Sequence, residues 1–331
     1  MILKLGGNMS EDYIYAVARI RSAEMKLLNS TVLESMLSAN TYDDCLRLLS
    51  DHGWSVDDNV SLSSLLKSER DRTWKFISEF VPDLHAFDVF LYANDYHNLK
   101  AAIKAVYGQT ERDDIYLDKE QCSVDPEIIK KAIQKREFTL LPEFMRTVAE
   151  EALDTLLRTG DGGLCDIIID KAALDKIYEA GKKANNPIFG LYSELTVASA
   201  NIKTAIRACH IGKDFAFLDK ALSICDSLDI SKLKKAAAEN LEAVYEYLSH
   251  TVYSDAVSEI KNSPSAFERW CDNRIMASIR PERHNPFTIG PLAAYILAKE
   301  NEIKSVRIIL SGKINNLPAD SLRERVREMY V

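Results

Sequence analysis

An all-α fold follows from three observations on this 331-residue chain. Only 12 glycines and 9 prolines are present to break helices, apolar residues recur at three- and four-residue steps through long segments, and no alternating apolar and polar run is long enough for a strand. Apolar residues make up 47% of the chain and charged residues 28%, as in folded globular proteins. The length is enough for one sizeable core or two to three smaller ones.

Taken in order, Met1 to Asn8 is too short for a signal peptide and reads as an extended start or as residues foreign to the natural chain. Ser10 caps a first helix whose opening turn carries Glu11 and Asp12, and which runs through Tyr13, Val17, Ile20 and Met25. Thr31 with Glu34, and Thr41 with Asp44, make two capping boxes, the second opening a helix that stops near Gly53. A helix from Leu62 to Val81 is ended by Pro82. The first long segment, Leu84 to Tyr107, is closed by Gly108.

The polar stretch from Gln109 to Val124, with Glu111, Arg112, Asp113 and Asp114, marks a boundary between units. Asp125 caps and Pro126 starts a short helix, and Pro142 to Arg158 forms an amphipathic one. Gly160-Asp161-Gly162-Gly163 then breaks the chain; it lacks the spacing of a phosphate cradle and reads as a turn. Helix resumes from Asp170 to Ala184, breaks at Asn185-Asn186-Pro187, and returns as a second long segment from Ile188 to Ile211, ended by Gly212. Phe215 to Cys225, Ser231 to Ser249 and Ala266 to Ile279 follow, the last opened by Ser265 with Glu268. Beyond Pro281 and Pro286, a third long helix runs from Ile289 to Ser311, roughly 35 Å, with Ile289, Ile296, Ile303 and Leu310 on one face that Lys299 interrupts. Pro291 suits its first turn, Gly312 its C-terminal cap, and Glu300 stands one turn before Lys304 as a supporting ion pair. Leu322 to Met329 closes the chain as a last helix.

The long segments repeat one another. Asn98-Leu99-Lys100-Ala101-Ala102-Ile103-Lys104-Ala105 matches Asn201-Ile202-Lys203-Thr204-Ala205-Ile206-Arg207-Ala208 with five identities at an offset of 103 residues, and Ile303-Lys304-Ser305-Val306 matches Ile202-Lys203-Thr204-Ala205 more faintly at 101. Three head-to-tail units follow: 1–110, 111–213 and 214–331. Each long helix carries a basic pair on one face: Lys100 and Lys104, Lys203 and Arg207, Lys304 and Arg307. These six are candidate partner contacts, where three equivalent helices would present positive charge to an acidic or polar partner; otherwise they form a solvated face.

Charge and motifs narrow the function. A net charge of −8 argues against nucleic acid as partner. The cysteines Cys45, Cys122, Cys165, Cys209, Cys225 and Cys271 are scattered, with no Cys-x-x-Cys, and are expected to be reduced thiols of a cytoplasmic protein. No apolar run reaches membrane-spanning length. The histidines His52, His85, His97, His210, His250 and His284 form no metal-ligating pair, Cys209 and His210 diverge as neighbours on a helix, and Asp57-Asp58 and Asp113-Asp114 read as turns. With no nucleophile elbow and no phosphate loop, neither enzyme activity, a cofactor, a metal nor a small-molecule substrate is expected.

Gly290-Pro291-Leu292 with Tyr295, then Lys299-Glu300-Asn301-Glu302-Ile303-Lys304 and Arg307-Ile308-Ile309-Leu310-Ser311-Gly312-Lys313, resemble the C-terminal signature of the C subunit of the archaeal and bacterial A/V-type rotary ATPases, the relative of the d subunit in the eukaryotic vacuolar pump. Asn94-Asp95-Tyr96-His97-Asn98-Leu99-Lys100, Tyr13 to Arg21 and Leu46-Leu48-Leu49 extend the resemblance over essentially the whole chain, whereas Ala198 stands where relatives often carry an acidic residue. The resemblance implies three similar helical domains in a pseudo-threefold funnel. It also implies a non-catalytic central-stalk part on the cytoplasmic side of the membrane, with the central-shaft subunits and the membrane rotor ring as partners. A free cytosolic helical-repeat scaffold is the alternative, and an all-α enzyme with an unrecognised site a more distant one.

Overall fold

The computed structural model describes residues 9–56, 61–81, 83–109, 113–184 and 186–331, and all regular structure among them is helical. Expectations placed on residues 1–8, Asp57 and Asp58, Pro82, Glu111, Arg112 and Asn185, and on the side chains of Ser10, Glu11, Asp12 and Asp113, lie outside the described residues. The chain forms two compact units, Met1–Leu84 with Glu259–Val331, and His85–Ser258. The opening helices are α1 (Met9–Glu24), α2 (Ser30–Ser38), α3 (Tyr42–Asp51) and α4 (Leu62–Ser78). Then come α5 (Tyr92–Gly108), α6 (Pro126–Lys135), α7 (Glu143–Thr159), α8 (Gly162–Lys183), α9 (Pro187–Ile211), α10 (Phe215–Ala221), α11 (Ile230–Glu239) and α12 (Leu241–Ser249). The chain ends with α13 (Val257–Asn262), α14 (Pro264–Ile279), α15 (Gly290–Ile314) and α16 (Ala319–Arg323).

In the first unit, Leu33, Met36, Leu49 and Leu65 from the opening helices pack with Ile303, Val306 and Leu310 of α15. Eighteen of the 25 residues of α15 are buried, so it is a helix enclosed on nearly all sides and not the one-faced helix its heptad spacing suggested. In the second unit, Leu99 and Ile103 of α5 join Ile129, Ile133, Leu153 and Ile169 of α6, α7 and α8 in one apolar core.

Several helix ends fall where local chemistry puts them. Thr41 accepts from the Asp44 amide at 3.1 Å, and Asp125 from that of Glu127 at 3.0 Å, as the sequence predicted. Gly212 closes α9 with φ +65°, a left-handed turn that suits glycine. Other ends differ. Asn29 caps α2 through the Val32 amide at 3.0 Å, while Glu34 pairs with Arg323. Asp161 caps through the Leu164 amide at 3.0 Å, which starts α8 at Gly162 in spite of its two glycines and confines the break to Gly160 and Asp161. Gln109, at φ +50°, takes the terminating role expected of Gly108, and Asn240 divides the expected Ser231–Ser249 helix into α11 and α12. Ser263 caps α14 in place of Ser265. Phe215–Cys225 and Leu322–Met329 are helical only as α10 and α16.

Gly312 is not a cap. It lies within α15, where a Cβ would collide with the Leu322 side chain, so the glycine lets α16 lie close against α15. The expected Glu300–Lys304 pair does not form either. Glu300 pairs with Arg70 at 2.7 Å and Lys304 with Asp272 at 2.7 Å, because each carboxylate is nearer a cation on another helix.

Candidate functional site

Three long helices carry the candidate residues, and each fastens the segment that follows it through a buried asparagine. Asn98 of α5 donates to the Leu117 carbonyl at 3.0 Å and to Cys122 Sγ at 3.2 Å, and accepts from the Leu117 amide at 2.8 Å. Asn201 of α9 does the same with the Ser223 carbonyl at 2.8 Å, Cys225 Sγ at 3.6 Å and the Ser223 amide at 3.0 Å. Both sulfurs lie 24 residues beyond their asparagine, so the pairs are related by the 103-residue offset of the sequence repeat. In α15, Asn301 donates to the Glu328 carbonyl at 2.8 Å, and its Oδ1 accepts from none of the described residues. A side-chain amide has the donors and acceptors of a peptide group, so each asparagine supplies the buried backbone of a loop with partners that neither helix nor sheet would give it.

A carboxylate completes each clamp in the second unit. Asp95 accepts from the Ser123 and Val124 amides at 2.9 and 3.0 Å and from Ser123 Oγ at 2.5 Å. The register of Asp95 falls on Ala198 in α9, which is fully buried and has no polar atom on its side chain. Glu194, one turn earlier, takes over. It accepts from the Ser227 and Asp226 amides at 2.8 and 3.0 Å and from Ser227 Oγ at 2.5 Å. The carboxylate absent at Ala198 is supplied one turn earlier by Glu194, whose extra methylene helps it span the greater distance. Burial pushes the Asp95 carboxyl up to about 6, outweighing the lowering effect of its Ser123 and Val124 donors.

The six basic candidates are placed unevenly. Lys100 pairs with Asp170 at 2.6 Å and Lys104 with Asp166 at 2.7 Å, so both tie α5 to α8. Lys304 shares Asp272 with Arg327, whose Nε lies 2.9 Å from it. Lys203 is half-buried, while Arg207 and Arg307 are exposed and form no side-chain hydrogen bond or ion pair among the described residues. Lys100, Lys104, Lys203 and Arg207 belong to the second unit, Lys304 and Arg307 to the first. Exposed ion pairs of this kind contribute about 0–1 kcal/mol each, so local pairing does not lock these lysines away from a competing anion.

Sequence reasoning missed the strongest electrostatic feature, a buried charge cluster in the first unit. Lys299, 5% exposed, lies 2.5 Å from Oε1 of both Glu69 and Glu302, which are 2% and 0% exposed. Glu302 also accepts from the Leu28 amide at 2.7 Å and from Trp54 Nε1 at 3.2 Å, and Glu69 is paired with Arg72 at 2.6 Å. Burial alone would lower the Lys299 pKa, but the Glu302 and Glu69 carboxylates more than offset it, and the ammonium titrates above its ordinary value. The available signal was Lys299 on an otherwise apolar face with Glu302 one turn on.

Among the described residues no group of three or more His, Cys, Asp or Glu side chains could hold a metal ion, and no helix is long and apolar enough to cross a membrane. The six cysteines are free thiols. Burial pushes Cys122 up to about 12 and Cys165 and Cys225 up to about 11, so these thiols are inert at neutral pH.

Residues 16–325 match the model of the ATP synthase (C/AC39) subunit family. The C subunit of the V-type sodium ATPase of Enterococcus hirae is 23% identical, the alignment covering 94% of this chain and 97% of the relative. The C subunit of the A-type ATP synthase of Methanocaldococcus jannaschii is also 23% identical, over 94% of this chain and 85% of its own length. The corresponding protein of Methanothermobacter thermautotrophicus is 25% identical, over 91% and 84%.

Proposed function

This chain belongs to the ATP synthase (C/AC39) subunit family, and from that membership we propose that it is a non-catalytic part of the central stalk of a V/A-type ATPase. In this role it is the socket that couples the rotating shaft to the ion-translocating ring in the membrane. The observation that carries the reading is the match across nearly the whole chain to the C subunits of such complexes. A part that passes torque must resist bending and needs no chemistry. Long helices whose following loops are pinned by Asn98, Asn201 and Asn301 suit that demand.

In this proposal the body consists of three similar helical domains, 1–110, 111–213 and 214–331, arranged as a funnel about a pseudo-threefold axis. Asn98 and Asn201, each bonded to a cysteine 24 residues on and related by the 103-residue offset, support a repeat of that period. The shaft subunits and the membrane ring are its partners, which would hold it at the cytoplasmic face of the membrane. Lys100, Lys104, Lys203, Arg207, Lys304 and Arg307 supply docking charge, with Lys100, Lys104 and Lys304 exchanging their own aspartates for acidic groups of a partner.

The test is capture of the tagged protein's partners from purified membrane ring and, separately, from purified shaft subunits, followed by washes of rising salt. Both are expected to be retained, with release as salt screens the exposed charges. Failure of the folded protein to hold either partner at low salt would overturn the proposal.

A further inference from the structure

A pocket of about 480 Å³ opens in the first unit beside α1, α4 and the first half of α15. That volume is in the range of small-ligand sites. Its lining is rich in donors and poor in acceptors. Arg19, Lys26, Arg72 and Lys299 face it against a single carboxylate, Glu69, in a chain whose net charge is −8.

The donors are only partly used. A guanidinium has five N–H groups and an ammonium three. Arg19 spends two on the Tyr15 hydroxyl and Glu79, at 3.0 and 2.7 Å. Arg72 is bonded to the Gly53 carbonyl and Glu69, and Lys299 to Glu69 and Glu302. Glu79 and Glu302 do not line the pocket, so these counter-charges lie outside it while unused donors remain. Lys26 is exposed and has no side-chain partner among the described residues.

The second observation is Tyr295. This residue is 7% exposed and lines the pocket, yet its hydroxyl bonds to no described residue. Burial pushes it up to about 12, which keeps it protonated and a donor at neutral pH. That hydroxyl opens into the pocket and is free to donate to a ligand that enters it.

We propose that this pocket binds a small soluble phosphate-bearing anion, whose oxygens accept from Tyr295 and Lys26 and from the unused N–H groups of Arg19 and Arg72. Phosphate fits because it is doubly charged, has no obligatory donor, and offers more acceptor sites than one carboxylate. A small ligand fits better than an acidic peptide because Tyr295 is more than nine-tenths buried and is reached by a group that enters the pocket. This assignment is independent of the stalk proposal, since it concerns the isolated chain.

The test is calorimetric titration of the full chain with inorganic pyrophosphate, repeated for Tyr295→Phe, Lys26→Gln and, as a control, Lys235→Gln, an exposed lysine outside the pocket. Tyr295→Phe removes only an unpartnered hydroxyl and so leaves folding intact. Saturable one-to-one binding is expected, weakened about ten-fold by Tyr295→Phe and by Lys26→Gln, the loss of one charge-assisted hydrogen bond each, and unchanged in Lys235→Gln. Lack of saturation at millimolar pyrophosphate, equal weakening by Lys235→Gln, or displacement of pyrophosphate by hexaglutamate at lower concentration would each overturn the assignment.

Discussion

Both units pin a following segment with a buried asparagine, but they treat charge differently. In the second, four polar side chains of the long helices answer loops. Asp95 and Glu194 take backbone amides, Asn98 and Asn201 both halves of a peptide group, and the core beside them is apolar. In the first, Lys299, Glu69 and Glu302 bury full charges among helices, with Trp54 and the Leu28 amide closing the shell. Loop clamps are local and replaceable: when the acid at one position is absent, as at Ala198, a neighbour one turn away serves. A buried charge cluster is neither, since removing one member strands the others in a low-dielectric interior.

The sharpest way to break this contrast is Lys299→Met. It leaves Glu302 without a cation and Glu69 with Arg72 alone, and about 3–5 kcal/mol of stability should be lost in urea unfolding. A loss under about 1 kcal/mol would mean that the cluster is hydrated and not dry.

Asn201→Leu should cost less, about 1–3 kcal/mol, because it leaves the Ser223 amide and carbonyl unpaired in the interior. Asn301→Leu should cost about half as much, since Asn301 makes one such bond where Asn201 makes two. Equal losses at the two positions would undo the idea that α9 clamps its loop more completely than α15.

The pH dependence sharpens the comparison further. With its carboxyl raised from 3.8 to about 6, Asp95 holds its proton more tightly in the folded unit than in the unfolded chain. Its contribution is therefore greatest at low pH and falls as pH rises through that window, by up to about 1.4 kcal/mol per pH unit. Asp95→Asn should remove this slope from the difference between unfolding curves at pH 4, 5 and 6. A difference that grows in the other direction would show that the amide donors outweigh burial.

The smallest effect is expected on the surface. Lys104→Met breaks the pair with Asp166, 45% and 33% exposed, and should change stability by less than about 1 kcal/mol, with the change vanishing in high salt.

Features set by neighbours in the chain were legible in advance. The caps at Thr41 and Asp125, the left-handed stop at Gly212 and the Asn98–Asn201 repeat all rest on contacts or patterns within one segment. What stayed hidden depends on distant partners. Glu69 reaches Lys299 from a helix 230 residues away, so spacing along the sequence pointed at most to Glu302 and gave no sign of this second carboxylate. Gly312 looked like a cap because glycine commonly is one, and only the approach of Leu322 shows its use as a clearance. Of the basic residues, their presence on the long helices was readable, but the aspartate partners of Lys100, Lys104 and Lys304 on α8 and α14 were not.

The central claim is that this chain joins shaft to ring, and the direct measurement is ion transport per ATP hydrolysed by the complex reconstituted in vesicles with and without it. The account predicts that hydrolysis persists without the chain while transport is lost, and that adding the chain restores transport. Transport that stays coupled to hydrolysis in its absence would contradict the account.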